Sequence, residues 1–161
     1  MSMFENDQFR WRETYFVLFE SARRPKLKTV LKKLAALNNR FTLTNSVAGQ
    51  EGLFESLTVL SPDDFAALDV CYVAGDEVRE QALELVKEMK GPDCSREELA
   101  KLERLKRLDG RFDVLHFEQL VDSCGDDLDD MFDPSGLLVV LDALVELTDG
   151  IAVDPQAGAM L

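Results

Sequence analysis

His116 and Glu118 are the residues whose types and spacing come nearest to acid–base chemistry. His116 is the single histidine of the 161-residue chain, and it stands two positions before Glu118 in the segment VLHFE. Alternate residues of a strand point to one face, so Glu118 could orient His116 as a general base there. The spacing places no Ser or Cys nucleophile beside them. A hydrolase that uses His116 and Glu118 is one hypothesis, and a structural histidine at a sheet edge or in the core is the alternative.

The acidic run from 122 to 133, DSCGDDLDDMFD, is the second stretch of chemistry-bearing side chains. An EF-hand calcium loop needs oxygen ligands at positions 1, 3 and 5, glycine at position 6 and Glu at position 12. A loop that starts at Asp122 has Cys124 third and Asp127 sixth, and one that starts at Asp127 has Met131 fifth. Neither loop matches, so a solvated acidic loop is favoured, and loose binding of divalent cations stays open.

The cysteines and the glycine pair Gly49 and Gly52 match no metal or cofactor motif. Cys71, Cys94 and Cys124 lack the CxxC spacing of zinc sites, and their odd number is typical of reduced thiols. The segment GQEG lacks the Lys-Ser/Thr pair of a phosphate-binding loop and leads to a strand rather than a helix. The sequence therefore assigns no catalytic residue, no metal site and no cofactor.

Charge is distributed unevenly along the chain. The segment from Arg23 to Arg40 contains seven basic residues and no acidic one, whereas 108–161 contains thirteen acidic residues against Arg111. A lysine-rich helix face is usually just solvated, but it could also pair with the acidic loop of the same or another copy. Lys28 and Lys32 are therefore candidate contact residues. An anion or a nucleic acid is the third option for this segment.

Overall composition narrows the class of protein. A net charge of −13 and the absence of aromatics among the lysines oppose nucleic acid and anionic membranes as partners. A hydrophobic content of 46% with 30% charged residues is typical of a folded soluble domain. No apolar run is long enough to cross a bilayer, and the first residues do not form a signal peptide. The prediction is a cytoplasmic protein.

Two stretches of the chain share one pattern of strand, helix and strand. The first unit spans 13–47 and the second 111–153, and Pro25 and Pro134 each stand at the start of a leucine-rich helix. The ferredoxin-like split βαβ sandwich is built from two such units with a hairpin strand between them. Right-handed crossovers would place both helices on one face of a mainly antiparallel sheet.

The remaining segments complete the predicted organisation. Helices capped at Asp76 and Ser95 fall within 76–108 and form a two-helix insertion that could cover the other face or an edge of the sheet. Residues 1–11 are predicted to be a loose N-terminal arm. The fold prediction is therefore a single α+β domain over 1–161, ferredoxin-like with a two-helix insertion.

The helix predicted over 134–148 is the most apolar element. Asp133 suits its N-cap, and Gly150 suits a left-handed C-cap. A sheet can cover only part of such a helix, so the insertion or a second subunit should cover the rest. The candidate interaction residues on this helix are Val140, Leu144 and Leu147.

These observations favour a non-enzymatic module that works by association, because exposed apolar surface usually marks an interface. Its partner would be another protein or a second copy of the chain, in a homodimer. The alternative is a small-molecule-sensing regulatory domain of ACT-like topology, in which a ligand lies between a loop and a helix. That alternative depends on topology alone, and fold does not determine function.

Overall fold

A computed structural model describes residues 8–37, 40–120 and 135–161 of the chain. Within these ranges, seven strands form one antiparallel sheet. The α+β class predicted from the sequence is confirmed. The strands are β1 (Phe9–Phe19), β2 (Thr42–Ala48), β3 (Phe54–Ser61), β4 (Ala66–Ala74), β5 (Gly110–Gln119), β6 (Ile151–Asp154) and β7 (Ala159–Met160).

Four helices accompany the sheet in the described ranges: α1 (Leu27–Leu37), α2 (Asp76–Met89), α3 (Arg96–Leu105) and α4 (Ser135–Thr148). The predicted cap of α3 is confirmed, because the Ser95 hydroxyl accepts a hydrogen bond from the Glu98 amide at 3.1 Å. None of the described helices combines the length and the apolar character that a membrane crossing requires.

The strand order places β1 in the interior of the sheet. The order is β2-β3-β4-β5-β1-β6-β7, and every pairing is antiparallel. Strands β5 and β6 both run against β1, so they are parallel to each other and are joined by the crossover that contains α4. This part has the split βαβ form, whereas a ferredoxin-like fold of the whole sheet is not established by the order.

One face of the sheet carries α1 and α4. Because strand side chains alternate between faces, Val17 and Phe19 of β1 point to this side and Phe16 and Leu18 to the other. The resulting core is the larger of the two main apolar clusters. It includes Val30 and Leu34 of α1, Val140 and Leu144 of α4, and Phe54, Leu57, Val59, Leu68, Val70, Phe112 and Val114 of the sheet.

The opposite face carries α2 and α3, so the two helices within 76–108 lie across the sheet from α4. They pack on Leu18, Ile151 and Val153. The insertion reaches one side of α4, where Lys101 and Arg104 of α3 line a cavity of about 170 Å³ with Leu138, Asp142 and Val145 of α4. On the insertion's own face of the sheet, one end carries no described helix, and a small apolar cluster around Phe117 and Ala67 lies there.

Two local predictions are corrected by the structure. Residues 9–11 belong to β1 rather than to a loose arm, because they pair with residues 117–119 of β5; residues 1–7 lie outside the described ranges. The left-handed residue after α4 is Asp149, with φ 53°, and not Gly150. Gly150 is needed for a close approach instead, since a Cβ there would lie 2.6 Å from the carbonyl oxygen of Leu18.

Candidate functional site

The helix layer, defined as α1 and α4 on their shared face of the sheet, contains all five residues that the sequence proposed for interaction. Val140 and Leu144 are both 0% exposed and pack against the sheet. Both side chains are therefore covered within the chain, and their role as contact residues stays a prediction. Leu147 is half-buried against the same core.

The outer surface of the helix layer carries different apolar side chains. Leu138 and Val139 of α4 are 52% and 39% exposed, and Leu37 at the end of α1 is 40% exposed. Ala35 and Ala36 of α1 are also exposed, and such small side chains permit a neighbouring element to approach closely. The exposed apolar surface that the sequence indicated thus exists, but it lies on the side of α4 opposite to Val140.

Charge divides this outer surface into two halves. Lys28 and Lys32 are exposed on α1, a helix without acidic residues, and Asp142 and Glu146 are exposed on α4, a helix without basic ones. The two halves meet at an ion pair in which Lys33 Nζ lies 2.6 Å from Glu146 Oε2. The layer therefore presents one positive and one negative helix side by side.

The two edges of the sheet are poorly suited to adding a strand from another molecule. The register of β2 shifts between Thr44 and Val47, and Asn45 there has a left-handed φ of 52°. Such bulges interrupt the ladder and protect edge strands from pairing. At the other edge, β7 is only two residues long. The helix layer is consequently the broader surface for association.

His116 lies on the same face of β5 as Glu118, as the sequence predicted, but the two do not form the proposed pair. His116 Nδ1 lies 3.3 Å from Glu13 Oε1, on the neighbouring strand β1. Glu118 instead forms ion pairs with Arg10 and Arg12. The residue that orients the histidine is therefore Glu13, which sequence spacing could not identify because it is about a hundred positions away.

Burial removes His116 from contact with solvent. The side chain is 0% exposed, and burial lowers its pKa, while the Glu13 carboxylate acts in the opposite direction. A general base must reach the proton of a bound substrate. In this structure the imidazole is fully buried and does not reach solvent, and the hydrolase hypothesis stays a prediction.

The uncovered end of the sheet forms a groove on the face opposite to the helix layer. Two cavities, of about 440 and 310 Å³, adjoin there and share Asn45 and Thr58 in their linings. Within the second cavity, Asp69 is 9% exposed and its Oδ1 accepts a hydrogen bond from the Thr58 hydroxyl at 2.7 Å. We call this surface the β2–β4 groove.

A thiol and a second carboxylate lie near the groove. Cys71 lines the groove and is half-buried. Its burial, and to a smaller extent the charges of Asp69 and Asp113, raises the pKa of its thiol. Asp113 is the partner of Cys71 on β5, and burial raises its pKa even though Arg111 Nε donates to it at 2.6 Å. A thiol that stays protonated is a weak nucleophile.

Metal binding finds no support in the described ranges, where no three His, Cys, Asp or Glu side chains come together to hold an ion. The acidic run 122–133, with Asp133 as the proposed cap of α4, lies outside those ranges. The predicted loop is therefore not tested.

The groove was missed by sequence reasoning. Asp69 stands inside the apolar segment LDVCYV, and an ionisable residue within a strand-like apolar run is the signal that could have directed attention to the groove.

Comparisons of the chain with protein-family models, with curated proteins and with solved structures found no match.

Proposed function

We propose that the protein is a non-enzymatic association module that pairs with a second copy of itself through the helix layer. The observation that carries this proposal is the placement of opposite charges on adjacent helices. Lys28 and Lys32 stand on one helix, and Asp142 and Glu146 on the other, with Leu138 exposed beside them. A surface of this kind complements itself.

The charge pattern also selects the geometry of the dimer. Two copies that meet face to face are related by a two-fold axis within the interface. An axis that runs along the helices sets α1 of each copy against α4 of the other, so positive meets negative twice. An axis across the helices sets α1 against α1, and like charges then oppose each other. The first arrangement is the one we propose.

The size of the layer predicts a weak dimer. Helices of 11 and 14 residues are about 16 and 21 Å long, and two neighbouring helices make a layer about 20 Å wide. The footprint is about 400 Å² per copy, which is half of the ~800 Å² per partner in a standard stable complex. Association should therefore depend on protein concentration and weaken with added salt.

The test is light scattering on two charge-reversed variants of the full chain, alone and mixed. Lys28→Glu with Lys32→Glu makes both helices negative, and Asp142→Lys with Glu146→Lys makes both positive. Each variant alone should keep the 18.1 kDa mass of one chain at concentrations where the wild type dimerises. An equimolar mixture should regain dimers, because both cross-contacts again join opposite charges.

A matched control reverses two exposed lysines at the end of α2, on the opposite face, Lys87→Glu with Lys90→Glu, and should dimerise as the wild type does. Losing the exposed Lys33–Glu146 pair should change stability by no more than about 1 kcal/mol, so the positive variant should fold. A wild type that stays at one-chain mass at every concentration, or a mixture that fails to associate, would overturn the proposal.

A ferredoxin-like relationship, and with it an ACT-like sensing role, is the second candidate. Its support is the split βαβ arrangement of β5, α4 and β6 around β1. In this candidate the ligand would bind between a loop and α4. Thermal-shift screening with amino acids and nucleotides tests it, because a specific ligand raises apparent stability in proportion to the logarithm of its concentration above Kd.

A further inference from the structure

The β2–β4 groove has an acceptor-rich end and an apolar end. Asp69, Thr58 and Asn45 contribute a carboxylate, a hydroxyl and an amide to the wall of the smaller cavity, and no described Lys or Arg lines either cavity. Phe9 and Leu60 line the other cavity and pack with the small cluster around Phe117. Among the described residues of these linings, Asp69 is the one that carries a formal charge.

From this lining we infer that the groove binds a small primary amine with an apolar body, whose ammonium group pairs with Asp69 while the body lies on Phe9 and Leu60. This site is on the opposite face of the sheet from the helix layer. It is therefore independent of the dimer.

The carboxylate gives the groove its preference for a cation. Asp69 is 9% exposed and accepts a hydrogen bond from the Thr58 hydroxyl, and a carboxylate can accept several hydrogen bonds at once. An ammonium group would add charge-assisted hydrogen bonds at a site partly screened from water, where such bonds are strongest. The net charge of −13 on the chain also raises the local concentration of cations.

The dimensions of the groove limit the ligand. Thr58 and Asp69 are paired neighbours on β3 and β4, while Leu60 lies two residues farther along β3. The apolar end is thus about 7 Å from the carboxylate end, the rise of two strand residues. A cavity volume of about 440 Å³ at the apolar end leaves room for an aromatic ring. A ring joined to an amine by a two-carbon linker has this spacing.

A hard divalent cation is a poorer occupant. Calcium takes six to eight oxygen ligands, and magnesium prefers octahedral geometry with carboxylates supplied by the protein. The described residues bring no cluster of three metal-ligating side chains to the groove. A cationic organic group needs one carboxylate with neighbouring acceptors, which is what the groove supplies.

The experiment is an NMR titration of the full chain with 2-phenylethylamine and with its neutral analogue 2-phenylethanol. The amine should bind saturably and shift the backbone amides of Thr44, Thr58 and Cys71, and the alcohol should bind at least about tenfold more weakly. Asp69→Asn keeps an acceptor for Thr58 but removes the charge. It should weaken amine binding at least about tenfold and leave alcohol binding unchanged.

Two further variants keep the test decisive. Asp63→Asn removes an exposed carboxylate that pairs with Arg40 near the same end of the sheet, and it should bind the amine as the wild type does. If Asp69→Asn failed to fold, Thr44→Lys would place a competing ammonium in the groove and should abolish amine binding. Equal affinity for amine and alcohol, shifts that lie elsewhere, or no saturable binding would overturn the inference.

Discussion

The two faces of the sheet differ in how the chain covers them, and strands β3 and β4 show the difference most clearly. Leu57 and Val70 point to the helix layer and are almost fully buried beneath α1 and α4. Their neighbours Ser56 and Cys71 point to the other face, where no described helix lies above them, and both are half-buried. At this end of the two strands, apolar residues fill the closed face, whereas Ser56, Asp69 and Cys71 line the open one.

Strand β1 has a different pattern because helices lie on both of its faces. Val17 and Phe19 contact the core below the helix layer, while Leu18 and Phe16 contact the cluster below α2 and α3. A strand covered on both sides needs a continuous apolar run, whereas a strand with one open side alternates. The apolar pattern of each strand therefore indicates which of its faces is covered, and the polar side of β3 and β4 is a surface that stays accessible.

The largest expected effect contrasts the inner and outer sides of α4. Val140→Asp places an unpaired charge in the core and should lower the free energy of unfolding by about 3–5 kcal/mol, whereas Leu138→Asp on the outer side should change it by less than about 0.5 kcal/mol. Urea denaturation measures both. Similar losses for the two variants would mean that the outer side of α4 is covered as well.

A smaller effect is expected on the open face. Thr58→Val keeps the shape of the side chain but removes the hydroxyl that donates to Asp69, so unfolding free energy should fall by about 1–3 kcal/mol. Thr42→Val, at an exposed position of β2, serves as the control and should change stability by less than about 0.5 kcal/mol. If Thr58→Val were as stable as the control, the hydrogen bond would have no structural role.

The smallest effect concerns pH. Burial lowers the pKa of His116 below its value in the unfolded chain. Glu13 and Asp64 act to raise this pKa, and Arg12 acts to lower it. The unfolded chain then binds more protons than the folded one near and below pH 6.5, so stability falls as pH falls through this range. The slope from one group stays below about 1.4 kcal/mol per pH unit.

The variant His116→Gln isolates this contribution. Its unfolding free energy should depend less steeply on pH between about 5 and 7 than that of the wild type, because the titrating group is gone. The comparison is made by urea denaturation at each pH. A steeper dependence in the variant would contradict a lowered pKa for His116.

Much of the local structure could be predicted from the sequence. Helix α4, the Ser95 cap of α3 and the placement of His116 and Glu118 on one strand face were all inferred from neighbouring residues. Such features depend on capping, periodicity and turn chemistry, which act over a few positions. The left-handed residue after α4 was placed one position too late, at Gly150 instead of Asp149.

The side chains that α4 exposes could not be chosen from the sequence. The sequence indicated an apolar helix with surplus surface, but it selected Val140 and Leu144, which the sheet buries, rather than Leu138 and Val139. Periodicity defines the relative positions of residues around a helix without saying which side meets the core. Lys28 and Lys32 were identified correctly as exposed, because charged side chains rarely occupy a core.

The sequence by itself determined which segments become helices and strands, since local propensity and apolar patterning are encoded in adjacent residues. Tertiary structure alone decided that β1 lies between β5 and β6, that Glu13 meets His116, and that Asp69 faces an open groove. These arrangements join residues far apart in the chain. Many pairings would satisfy the same local patterns, and packing of the whole core selects one among them.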